Sequence, residues 1–328
     1  MSKIITNPKN YSGQELDQIF FRPILSGPSA QQLGIRILYN MPVPTTINMW
    51  RAGADPLKPY ASGWVGGNVA DKFQKSIPLK KVKAEMGYAA ADYFNMVMER
   101  VSCSAEYNMG ELSGSTLEAA ETELFKNSIA EGLRATMWVG DIARTGRFNT
   151  FDGLLKSIKA DTTGAGETIT MVAMTSMATE GNGEKLLRAL YEAASPELRS
   201  MKGQGQLAFM VTRDVYENYE STLLTGNLDS VRYAKINGIE QLSYRGIPVI
   251  DLQIDSYLGS LGDLPKSWAL LTDRRNLTLA VNTNDLPGSE VALWYNPDEI
   301  ENRCRAIFLA GTEYLLPELV VASFSETL

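Results

Sequence analysis

The chain of 328 residues contains no histidine. That absence removes the usual general base near neutral pH and the commonest metal ligand. Ser-His-Asp and Cys-His systems and His-bearing zinc sites go with it. Cysteine is almost as scarce. Cys103 and Cys304 lie far apart, with neither the count of a disulfide framework nor metal-ligand spacing. They read as two buried or half-buried thiols in a reducing compartment. No apolar run reaches the ~18 residues of a transmembrane helix, so no membrane is expected. The opening MSKIITNPKNYSGQELDQIF lacks the apolar stretch of a secretion signal. No Gly-Lys-Ser or Gly-Lys-Thr occurs, and Gly203-Gln204-Gly205 precedes a strand pattern where a dinucleotide site would follow one. No Gly-x-Ser-x-Gly elbow is present.

Basic charge is also in short supply. Lys and Arg number 31 against 38 Asp and Glu, for a net charge of −7. A protein whose main surface grips nucleic acid by counterion release needs a basic face, so that class is disfavoured. Hydrophobic residues make up 44% of the chain, enough for more than one packed lobe.

The N-terminal 40 residues are broken by Asn7-Pro8 and Gly27-Pro28, with one short helix expected over Glu15 to Ile24. They read as an arm laid over something else. Residues 41–86 include RAGADPLKPYASGWVGGNVA, rich in Gly, Ala and Pro and poor in core formers. Ile77, Leu79, Val82, Ala84 and Met86 then fall at near-alternate positions, a strand with one slip in register. Lys72, Lys75, Lys80, Lys81 and Lys83 stand among them against the single Asp71. That segment carries +4, and −7 less +4 leaves −11 for the rest of the chain. A ribbon with so little core needs another surface to lie on.

Tyr88 to Ser102 is expected to be a helix, with Tyr93, Met96, Val97 and Val101 on one face. A stronger helix follows. Ser115 with Glu118 forms a capping-box pattern. Phe125, Ile129, Leu133 and Met137 recur every four residues, and Gly140-Asp141 ends the helix. Beyond it, helices are expected over Glu184 to Ala194 and Asp214 to Leu224. Strands are expected at Leu207–Val211, Trp268–Leu271, Leu277–Val281, Val291–Tyr295, Arg303–Ala310 and Leu319–Val321. Ile239 to Asp251 carries a hairpin turning near Arg245-Gly246. Strands and helices mix without a strict alternation, which makes the class α+β.

Four groups of residues could carry function. Trp50 and Trp64 in the loose ribbon either anchor an interface or cover a small core of the ribbon's own. The lysines at 72, 75, 80, 81 and 83 are a solvated strand face, a guard on a strand edge, or a contact for nucleic acid or acidic protein. With −11 elsewhere, a second copy of the chain is the nearest acidic surface. Asp251, Asp255, Asp263 and Asp273 lie on loops and strand ends, where oxygen ligands could suit a hard divalent cation. Solvated loop carboxylates are the simpler reading, and no metal or other cofactor is assigned.

The order of these features resembles one family, the major capsid proteins of tailed bacteriophages with the Hong Kong 97-type fold that encapsulins share. The local sequences that carry the resemblance begin at Gly140-Asp141 with Phe151-Asp152-Gly153-Leu154-Leu155. They continue with Leu207 to Tyr219, then Leu242 to Leu252, then Val291 through Asn302 and Arg303 to Leu316. The resemblance implies an N-terminal arm over 1–40 and an extended loop over 41–86 that lies on a neighbour. It implies a peripheral domain with a spine helix over 87–140 and 287–316, and an axial domain over 141–286 and 317–328. Trp50, Trp64, Lys72, Lys75, Lys80, Lys81 and Lys83 become candidate inter-subunit contacts.

The implied function is structural, not enzymatic. Copies of the chain would assemble as pentamers and hexamers around double-stranded DNA, in the virion, after assembly in the host cytoplasm. Portal and a separate scaffolding or decoration protein are the implied partners. About 40 residues precede the ribbon, too few for the N-terminal scaffolding segment of some family members. An encapsulin-type compartment is the alternative of the same fold. A carboxylate-dependent enzyme built on Asp251 and Asp255 is the alternative from another class.

Overall fold

A computed structural model of the chain describes residues 28–41, 45–52, 60, 62–63, 70–89, 116–163, 169–225, 233–236, 239–259, 261, 264–283, 291–296, 298–299 and 301–325. In chain order the elements begin with α1 (Ala30–Leu33), β1 (Arg36–Leu38), β2 (Thr45–Ala52), β3 (Ala70–Ile77) and β4 (Lys80–Ala89). The long helix α2 (Thr116–Val139), α3 (Leu154–Thr163), β5 (Thr170–Met171), α4 (Asn182–Ala193) and α5 (Pro196–Ser200) follow. Then come β6 (Leu207–Val211), α6 (Arg213–Thr225), β7 (Tyr233–Ile236), β8 (Ile239–Tyr244), β9 (Ile247–Asp251) and α7 (Asp255–Leu258). The chain closes with β10 (Trp268–Asp273), β11 (Leu277–Val281), β12 (Val291–Asn296), β13 (Glu301–Tyr314) and β14 (Val320–Phe324).

A mixed seven-stranded sheet, in the order β5-β14-β10-β6-β9-β8-β7, is the centre of one lobe. The central strand β6 is apolar at every position, and β10 over its first four, because both faces are covered. Along β6, Ala208 and Met210 pack with the long helix, whereas Leu207, Phe209 and Val211 pack beneath α4 and α6. β10 divides the same way, with Trp268 and Leu270 on one side and Ala269 and Leu271 on the other. Trp138, near the end of α2, stacks on Trp268 with ring centroids 5.8 Å apart.

The second sheet is organised by β13. One flank pairs with β4 over ten residues, from Glu301↔Ala89 to Ala310↔Lys80. The other flank pairs first with β12 and then with β11, and β1 lies parallel beyond β11. The long helix crosses this sheet. Its ridge of Phe125, Ile129, Leu133 and Met137 is buried throughout. Each such side chain contributes about 1.5–3 kcal/mol of transfer free energy. At 24 residues the helix spans roughly 36 Å.

The helix stops where two glycines touch. A methyl group on Gly140 would sit 2.3 Å from the Phe151 carbonyl oxygen, and one on Gly153 would sit 2.6 Å from the Gly140 nitrogen. Only bare backbone lets the chain double back, and Gly153 then donates to the Gly140 carbonyl at 2.8 Å. Lys156 fastens the turn with 2.6 Å contacts to both Asp141 and Asp152.

Several expectations need correction. The helix expected from Tyr88 begins too early, because Tyr88 and Ala89 are the last two residues of β4; residues 90–102 lie outside the described residues. The lysine-rich strand is two strands. The register slip between Ile77 and Val82 is a break at Pro78-Leu79, after which the chain enters the other sheet. Residues 80–86, placed in the extended loop, therefore belong to the β13 sheet. The arm over 1–40 is partly built into the chain's own body, since Ala30, Leu33 and Ile35 are buried in the main core. The helix α3 shows no clear sequence period and was not expected. Glu15 to Ile24, Ser115 and Cys103 lie outside the described residues, and Cys304 is buried.

Candidate assembly surface

Strands β2 and β3 form a two-stranded sheet of their own, with eight pairs from Thr45↔Ile77 to Ala52↔Ala70. Thr46, Asn48, Gln74 and Ser76 are exposed, and Ile47 and Met49 are half-buried. An isolated two-stranded ribbon is marginal in water. Three strands or a covering layer are needed, and no third strand pairs with this ribbon among the described residues. Tyr60, between the two strands, is 98% exposed.

The lysines divide between the two sheets. Lys72 lies on β3 opposite Trp50 in the backbone register; the side chains of both lie outside the described residues, as does all of Trp64. Lys75 is half-buried, with its ammonium 4.5 Å from the centroid of the Tyr314 ring. Lys80, Lys81 and Lys83 on β4 are exposed. Val82, Ala84 and Met86 alternate with Lys81 and Lys83 and pack towards the core. So the lysines are not one patch: Lys75 serves the base of the ribbon, while Lys81 and Lys83 share the outer face of the β13 sheet.

That outer face holds residues the sequence reading missed. Ile307 and Leu309 pair across from Lys83 and Lys81 in the ladder. Arg305 stands opposite Glu85 and stacks its guanidinium over Trp294, 5.5 Å from the ring centroid. Trp294 is 41% exposed. Arg303 pairs with Glu299 and Glu301. The signal was present in the alternation of Arg303, Arg305 and Ile307 with buried Cys304, Ala306 and Phe308. Behind the same sheet, an apolar cleft of ≈ 450 Å³ opens between β4 and the long helix, lined by Val82, Ala84, Met86, Phe125, Ile129 and Leu133.

The aspartates do not converge. Asp273 caps the turn after β10, accepting from the Arg275 backbone at 2.8 Å and pairing with its guanidinium at 2.7 Å. Asp251 is the last residue of β9 and Asp255 the first of α7, with the Asp255 charge acting on the Asp251 carboxyl, and Asp263 lies outside the described residues. Burial pushes the Asp251 and Asp255 carboxyls above their ordinary values, and carboxylate neighbours add to the rise. Among the described residues no group of three His, Cys, Asp or Glu could hold a metal ion. Nor is any described helix long and apolar enough to cross a membrane.

No family profile and no curated protein matches the chain. Solved structures do match. The capsid of the cyanophage P-SCSP1u is 12% identical, with 98% of this chain and 100% of that chain covered and a TM-score of 0.53. The capsid of a native GTA particle is 14% identical, with 93% and 92% covered and a TM-score of 0.52. The holo-SrpI encapsulin complex from Synechococcus elongatus is 10% identical, with 96% and 95% covered and a TM-score of 0.50. The chain has the Hong Kong 97-type capsid fold, and the likeness runs through nearly its whole length.

Proposed function

We propose that this chain is the major capsid protein of a tailed bacteriophage, a structural subunit with no catalytic role. The observation that carries the reading is the β2–β3 ribbon, which pairs with no third strand among the described residues, on a body with a capsid fold. Such a ribbon gains its stability by lying on another copy, so subunit and assembly are linked by mass action. Rings of five and six copies close through head-to-tail contacts with rotational symmetry. Trp50, Trp64, Lys72, Lys80, Lys81 and Lys83 are the proposed contacts, with the acidic remainder of a second copy as their partner. Lys75 supports the ribbon from below.

In this reading the shell encloses double-stranded DNA without sequence readout and is assembled in the host cytoplasm with portal and a separate scaffolding or decoration protein. An encapsulin-type compartment with protein cargo is the second reading, favoured by the match to an encapsulin over 96% of the chain. Expression of the chain alone, followed by negative-stain microscopy and sedimentation, tests both. Closed shells or rings of five or six support them, and DNA or protein in the natural particle chooses between them. A monomer or dimer that persists at high concentration and with candidate scaffolds overturns both.

A further inference from the structure

Both legs of the ribbon leave the body at one place in the β11–β13 ladder. The incoming leg is held where the Met41 nitrogen donates to the Val281 carbonyl at 3.1 Å, one residue after the Asn40 nitrogen donates to Thr283. The outgoing leg crosses β13 at Gly311, whose neighbour Ala310 pairs with that same Val281. A methyl group on Gly311 would sit 2.4 Å from the Pro78 carbonyl oxygen and 3.3 Å from the Leu79 α-carbon. Just before the crossing Ile77 is fully buried, and Lys75 lies on the Tyr314 ring. Tyr314 is itself buried and donates its hydroxyl to Asp161 at the end of α3. The crossing is therefore backbone against backbone, braced on one side by a cation held over a fixed ring.

We infer that the Pro78–Gly311 crossing, with Lys75 on Tyr314, is the pivot that fixes the angle of the ribbon to the body and hence the angle between neighbouring subunits. This rests on the shell-building reading. If the ribbon of one copy lies on the next, every degree at its root becomes a degree between copies. An alanine at 311 must lift the Pro78 leg by about 1 Å to reach an ordinary contact. The legs of a strand pair lie ~4.8 Å apart, so lifting one leg while Met41 holds the other turns the ribbon by about 12°. Repeated around a ring, that turn changes the curvature at which the shell closes. Pro78 itself fits the role: it has no backbone donor to satisfy, and its fixed φ stiffens the outgoing leg.

The test uses full-length Gly311→Ala and Lys75→Met. Lys75→Met keeps the aliphatic stem and removes the charge, so it carries the test if Gly311→Ala does not fold. Each variant is read twice. Hydrogen exchange on unassembled subunits reports the ribbon root at 45–47 and 75–77, and cryo-electron microscopy reports particle diameter. Lys75→Met is expected to speed exchange at the root at least tenfold while leaving β6 and β10 unchanged, and to broaden the diameters. Gly311→Ala is expected to shift the mean diameter or give open sheets from folded subunits. Wild-type exchange and a wild-type diameter in every folded variant would overturn the pivot and leave the shell reading intact. Failure of the wild-type chain to form shells under any condition would overturn the shell reading, and exchange at the root would then judge the pivot alone.

Discussion

Arg134 grips Glu131, one turn away on the long helix, through two nitrogens at 2.7 and 2.8 Å, with both side chains almost wholly buried. A third guanidinium nitrogen donates to the Leu252 carbonyl at 2.9 Å, and the Tyr257 hydroxyl donates to Glu131. Burial alone would push the Arg134 guanidinium down, but the hydrogen-bonded Glu131 carboxylate outweighs it and holds it above its ordinary value. The pair thus ties the spine helix to the loop between β9 and α7. Removing one member leaves a buried charge without its counter-charge. Arg134→Met is expected to cost about 3–5 kcal/mol in urea unfolding of unassembled subunits. The double variant Arg134→Met with Glu131→Leu should cost clearly less than the two single changes added together. A single-variant cost below about 1 kcal/mol would show that the pair does not hold these segments together.

A half-buried carboxylate cluster predicts a pH dependence. Desolvation, then the neighbouring Asp255 and Glu217 charges, raise the Asp251 carboxyl above its ordinary 3.8, against the Gln253 backbone donor and Arg213. Asp255 is raised by burial and by Asp214, and one of its oxygens is buried without a partner. A carboxyl raised by folding favours the folded state below its unfolded pKa. That contribution is lost as pH rises through the folded pKa. Asp251→Asn keeps the acceptor for the Gln253 backbone at 2.9 Å and removes the charge. It is expected to raise the urea midpoint at pH 7, with the gap to wild type closing as pH falls towards 4. A gap of constant size over that range would refute this account.

How much of this was legible before the structure depends on whether the information was periodic. The ridge from Phe125 to Met137 has the helix period, and α2 ends at Val139 before the expected Gly140. Leu207–Val211 and Leu277–Val281 are continuous apolar runs, and both are strands with those bounds. The hairpin turns at Arg245-Gly246, both with positive φ. What failed was partner choice. The slip in alternation at Pro78-Leu79 marks a break, but nothing local says that Lys75 and Lys83, eight residues apart, enter different sheets on its two sides. Arg303 and Arg305 hid in a strand whose outer face is charged and apolar by turns, so neither its basic character nor Trp294 beside it stood out. The buried pair Glu131–Arg134 looks, in sequence, like an ordinary solvated helix pair; only the approach of residues 252–257 buries it.

The glycine contact that ends the spine helix offers a sharp comparison. A methyl group on Gly153 would meet three backbone atoms, Gly140 N at 2.6 Å, Trp138 O at 2.7 Å and Thr136 O at 2.8 Å. None of these can rotate aside. Gly153→Ala is expected to cost about 1–3 kcal/mol, as overpacking does, and to lower the melting temperature of unassembled subunits by several degrees. Gly203, in the turn before β6, has nothing within 4 Å of the same position, so Gly203→Ala should leave melting almost unchanged. Equal melting temperatures for the two variants would mean that the chain can separate the two crossing backbones at little cost.

The lysines of β4 separate assembly from stability. Lys81 and Lys83 are exposed on a strand already held by ten ladder pairs, so their charge is not needed to place the strand. Lys81→Glu should therefore change subunit stability by no more than about 0.5 kcal/mol. If the acidic surface of a second copy is the partner, the same change should slow assembly severalfold at low salt. The deficit should shrink as added salt screens the interface, since the Debye length falls from ~30 Å at 0.01 M to ~10 Å at 0.1 M. Lys83→Glu is the informative companion. It also breaks the 2.5 Å pair with Glu85, an exposed pair worth about 0–1 kcal/mol, and sets two carboxylates side by side. A local cost should appear in melting of Lys83→Glu alone, whereas the kinetic cost should appear in both. Light scattering during assembly, run beside melting of the subunits, reads the two apart. Unchanged assembly of Lys81→Glu at low salt would reduce these lysines to a solvated strand face.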